Sequence, residues 1–87
     1  MPYILKERRL QYKPELEELV RNLRSHDFEA GDLVYVFYFI VKEAFAYYPR
    51  FSSINKVRGA LSSALTEFDR RIAAPYEDEK IEENGDV

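Results

Sequence analysis

Four carboxylates carry the spacing most suggestive of chemistry in this chain. Glu15 and Glu18 form an E-x-x-E pair, and Glu29 and Asp32 form an E-x-x-D pair at the head of an apolar run, EAGDLVYVF. A step of three keeps two side chains near one another on a helix surface. Two such pairs on neighbouring helices could hold Mg²⁺ against a triphosphate, since Mg²⁺ takes a few carboxylates together with phosphate oxygens.

That ordering resembles the all-helical nucleoside triphosphate pyrophosphohydrolases of the MazG type, in which E-x-x-E on one helix faces E-x-x-D on the next. The resemblance implies a divalent-metal-dependent hydrolase with Glu15, Glu18, Glu29 and Asp32 as metal ligands. The residues themselves favour ordinary surface acids. Only ten residues separate Glu18 from Glu29, and Pro14 at the first position of a helix would put Glu15 and Glu18 in its first turn. Glu18 then points about 150° from the apolar stripe, toward solvent. Gly31-Asp32 suits a turn and a helix N-cap. No catalytic residue, resident metal or cofactor is therefore expected.

The other reactive side chains offer less. His26 beside Asp27 has no nucleophile placed to use it. Ser52-Ser53 and Ser62-Ser63 lack the glycine context of a nucleophile elbow, and no glycine-rich phosphate loop exists. There is no Cys, which excludes disulfides, thiolate zinc sites and thiol nucleophiles. Tyr47, Tyr48, Arg50, Phe51, Lys56 and Arg58 mix rings and cations in a way that could stack and neutralise a single strand. A net charge of −3 argues against nucleic acid as the main partner.

The elements that would position these groups are helical. Eighty-seven residues with 46% apolar and 33% charged content suit one folded domain spanning residues 1–87. Met1 to Leu5 is too short for a secretory signal, and a cytoplasmic location is expected. Lys6 to Lys13 is mixed and basic and suggests an extended or turn-like lead-in that lays Ile4, Leu5 and Leu10 on the core. The first helix is expected over about 14–24, with Pro14 at its start and Leu16, Leu19, Val20 and Leu23 on one stripe.

Asp32 is the expected N-cap of a second helix over about 32–48, stopped by Pro49. Its Val34–Val41 stretch is β-branched and aromatic, which suits a strand; length, the cap and the lack of any internal turn signal favour a helix. The apolar run is too short for a membrane span. A third helix over about 55–74, capped by Ser53 or Asn55, carries Ile54, Val57, Leu61, Leu65, Phe68 and Ile72 on a narrow arc. Tyr76 to Val87 holds six of the sixteen acids and one Lys. A short fourth helix over about 76–83, with Pro75 at N1 and Asn84-Gly85 as its stop, is preferred to a free acidic tail. The fold expected is all-α, a three-helix bundle with a short C-terminal fourth helix.

The second helix is apolar all round. Leu33, Val36, Phe37, Ile40, Ala44 and Tyr47 share one face, while Tyr35, Tyr38, Phe39 and Phe45 lie opposite with Lys42 beside them. A helix of this kind must be covered on every side. The N-terminal segment or the acidic tail could cover the second face, or the Tyr hydroxyls could line a ligand pocket. The preferred reading is a non-enzymatic, self-associating module whose interface is Tyr35, Tyr38, Phe39, Lys42 and Phe45, most economically a two-fold homodimer.

The opening Met1-Pro2-Tyr3-Ile4, the central Gly31-Asp32-Leu33 with Tyr35 and Val36, and the ending APYED-x-KI-x-ENGDV (Ala74 to Val87) resemble a family of short proteins of bacteria and their phages with no assigned function. The resemblance covers nearly the whole chain and brings no catalytic residues. It implies a phage-related context and an acidic C-terminal segment that is an ordered element of the fold, docked on the bundle.

Overall fold

The computed structural model describes residues 3–85; Met1, Pro2, Asp86 and Val87, the outer ends of the sequence resemblance, lie outside them. The described residues are all-α, with no strand among them. The helices are α1 (Lys6–Arg24), α2 (Ala30–Tyr47), α3 (Phe51–Phe68) and α4 (Ala74–Asn84), with a π-helical turn, Asp69–Ala73, between the last two. The chain divides into two units, Met1–Ile40 and Val41–Val87.

In the first unit α1 starts at Lys6, eight residues before Pro14. The basic lead-in is helical, and Pro14 sits inside the helix. There its ring deprives the Leu10 carbonyl of a donor and costs about 3 kcal/mol relative to Ala. The apolar stripe explains why the helix continues: Tyr12 stands four residues before Leu16, so the stripe runs unbroken through the proline. The turn after α1 closes with the Phe28 N–H on the Leu23 carbonyl at 3.0 Å and the Asp27 N–H on the Arg24 carbonyl at 2.9 Å. This is a Schellman cap built without glycine, so Asp27 and Phe28 take left-handed φ values of 58° and 52°. The Ser25 hydroxyl adds a bond to the Asn22 carbonyl at 2.6 Å.

Because that cap delivers the chain directly into α2, Glu29 takes the N-cap position assigned from sequence to Asp32. Its carbonyl accepts the Leu33 N–H at 3.1 Å. Asp32 lies in the first turn, where the helix dipole still favours an acid. The β-rich Val34–Val41 stretch is helical. In the second unit, α3 begins at Phe51 rather than Asn55. Arg50 is its extended N-cap, and neither Ser53 nor Asn55 caps the helix. Ser53 instead lies within the first turn, 3% exposed, and its hydroxyl donates to the Tyr48 carbonyl at 2.5 Å. That bond ties α3 back across Pro49 to the end of α2. The Arg50 guanidinium stacks on the Tyr48 ring at 3.5 Å, reinforcing the same corner.

The helix does not stop before Pro75. The π-turn widens it, with the Ala74 N–H bonded to the Asp69 carbonyl. A wider turn moves the preceding carbonyls out of the path of the proline ring, and the chain resumes as α4. Gly85 ends α4 at φ 86°, its N–H on the Ile81 carbonyl at 2.7 Å, as Asn84-Gly85 led one to expect.

Candidate functional site: the aromatic faces of α2

No apolar side chain is buried among the described residues; Ser53 alone is. Among the described residues the faces expected from the helical spacings are at most half-covered. On α2, Leu33, Val36 and Val41 are half-buried, whereas Phe37, Ile40, Ala44 and Tyr47 of the face assigned to the core are exposed. On α3, Leu61, Leu65 and Phe68 are exposed as well, and only Ile54 and Val57 of its arc are half-covered.

The opposite face of α2 is also open. Tyr35 is 64% exposed, Tyr38 59%, Phe39 46% and Phe45 38%, and Lys42 is exposed beside them. A step of about 100° per residue spreads these five over roughly a third of the helix circumference, with Lys42 near the centre. The Tyr35 and Phe39 rings, one turn apart, meet at 6.1 Å with planes tilted by 42°. That is a favourable aromatic geometry, and it stiffens the patch before any partner arrives.

The acidic candidates lie in the first unit and are not assembled. Glu15 and Glu18 stand mid-helix on α1, and Glu18 is ion-paired with Arg21 one turn on, with both side chains largely solvated. Glu29 precedes α2, and Asp32 is half-buried in its first turn. Among the described residues no group of three or more His, Cys, Asp or Glu side chains is arranged to hold a metal ion. His26 lies exposed in the α1–α2 turn. Of the ring-and-cation set, Arg50 is engaged on Tyr48. Further along, Glu67 takes both Arg70 and Arg71, at 3.0 and 2.5 Å.

A second feature escaped the sequence reading. The N-terminal half of α1 carries a shallow groove lined by Ile4, Leu10, Tyr12 and Leu16 and by Lys6, Arg9 and Lys13, with the cations along its middle and apolar side chains on either flank. Tyr12, in register with Leu16, was the signal that this segment is helical. No helix among the described residues is long and apolar enough to cross a membrane.

The chain belongs to the family described as "Domain of unknown function (DUF6899)", whose pattern it matches over residues 1–87. No curated protein and no solved structure matches it.

Proposed function

We propose that this protein is a non-enzymatic helical interaction module that self-associates, most economically as a two-fold dimer through Tyr35, Tyr38, Phe39, Lys42 and Phe45 of α2. One observation carries the reading: α2 is apolar on both faces, and of its apolar side chains Leu33, Val36 and Val41 alone are half-buried while the rest are exposed.

In this arrangement the aromatic arc of one α2 lies against the same arc of its copy. The Lys42 ammonium, mid-arc, can rest on a Tyr ring of the partner. Residues 1–87 then form one cooperative domain only as an assembly, because a helix with no buried face has little of its own to hold it. We take its place of action to be the cytoplasm, with which a chain free of cysteine is compatible.

Hydroxyl-radical footprinting across a dilution series tests this. Modification of Tyr35, Tyr38, Phe39 and Phe45 is expected to rise together as the protein is diluted. Concentration-independent modification of all four would contradict the reading.

A further inference from the structure

We infer that the groove on the N-terminal half of α1 receives the acidic α4 helix of a second copy of this chain. The inference rests on the self-association proposed above and adds a second contact to it. Three properties of the groove select its occupant.

The first is charge. Lys6, Arg9 and Lys13 line the middle of the groove, and among the described residues none of them has an ion-pair partner. By contrast Arg21, Arg70 and Arg71 are already paired with glutamates. Glu7 and Glu15 lie on the far side of the helix, each about 140° from the groove centre, and Glu17 follows Lys13 one turn on, at the end of the groove. Against these cations α4 sets Glu77, Asp78, Glu79, Glu82 and Glu83, with Lys80 as its one base. Lys80 is itself drawn back to Glu83 at 3.1 Å and toward the Tyr76 ring at 5.5 Å.

The second is apolar surface. Leu10, Tyr12 and Leu16 are each more than half exposed along the flanks of the groove. Tyr76 of α4 is 58% exposed and shares a face with Glu79, Glu82 and Glu83, so both partners offer apolar contact beside their charges. The third is length. The eleven residues of α4 span about 16 Å, and Lys6 to Leu16 spans about 15 Å. An antiparallel pairing brings Glu82 and Glu83 to Lys6 and Arg9. It also sets the negative end of the α4 dipole beside the positive end of α1.

The test uses the full chain, unlabelled and ¹⁵N-labelled in equal amounts, mixed in urea and refolded together. A zero-length carbodiimide then joins amines to carboxylates in contact. Links between Lys6 or Lys13 and the Glu77–Glu83 carboxylates are expected, about half of them joining one light and one heavy chain, as random pairing requires. Reversing the groove charges (Lys6→Glu, Arg9→Glu, Lys13→Glu) should weaken the dimer about tenfold. Reversing the facing acids as well (Glu79→Lys, Glu82→Lys, Glu83→Lys) should restore it. Links confined to chains of one label, or no such links in a protein that sediments as a dimer, would overturn this inference and leave association through α2 standing. A monomer would overturn both.

Discussion

Replacing Phe39 by Asp separates an interface role from a structural one. Phe39 is 46% exposed in the single chain, so roughly 90 Å² of a ring of about 200 Å² is open to solvent. At about 25 cal/mol per Å², covering it in a dimer contributes about 2 kcal/mol per copy. A two-fold interface counts the residue twice, which brings the loss to about 4–5 kcal/mol before any cost of burying two carboxylates. That corresponds to a dissociation constant raised on the order of a thousandfold. Within the protomer, Asp loses only a few tenths of a kcal/mol of helix propensity against Phe. Size-exclusion chromatography with light scattering, run beside far-UV circular dichroism, reads both quantities. The expected result is a shift from dimer to monomer in the micromolar range, with helicity falling only as far as dissociation accounts for. An unchanged dimer would refute the reasoning, because no position facing the copy could absorb a carboxylate so cheaply.

Three further outcomes follow from local geometry. Pro14→Ala restores a donor for the Leu10 carbonyl inside α1 and should raise thermal stability by up to about 3 kcal/mol; no change would mean that the helix starts at Pro14. Ser53→Ala removes the hydroxyl bond that ties α3 to the Tyr48 carbonyl and should cost about 1–2 kcal/mol in urea unfolding, whereas a neutral result would show that water replaces it freely. Asp27→Gly relieves a left-handed φ of 58° and should gain about 0.5–1 kcal/mol; a lower unfolding midpoint would show that the Asp side chain does more than cap α1.

The helical class was legible because the 3.6-residue spacing of Leu16, Leu19, Val20 and Leu23 and of the α3 arc has no strand equivalent. Gly85 announced the end of α4 in the same direct way. The misplaced starts share one cause. Pro14, Asp32 and Ser53 are each good residues for a helix start, and each stands inside a helix that begins earlier. A local signal of that kind fixes what a residue can do at a terminus, while the terminus itself is set by the neighbouring turn. The Schellman turn at Asp27-Phe28 starts α2 at Ala30, and the Pro49 corner starts α3 at Phe51. Pro75 marked where the third helix had to stop or kink, while the form of the kink, a π-turn at Asp69–Ala73, leaves no trace of its own in the composition. The aromatic arc of α2 was visible as composition. That the face opposite it would be open too was not, since helical spacing says which residues need cover and not whether the same chain supplies it.

Sedimentation equilibrium of the unmodified protein at micromolar concentration addresses the central claim most directly. Self-association through α2 predicts a mass of twice the 10.3 kDa protomer, returning toward one protomer on dilution as helicity declines. A concentration-independent mass of one protomer with full helicity would contradict it, for the rings of α2 would then be tolerated in water or covered by the chain itself.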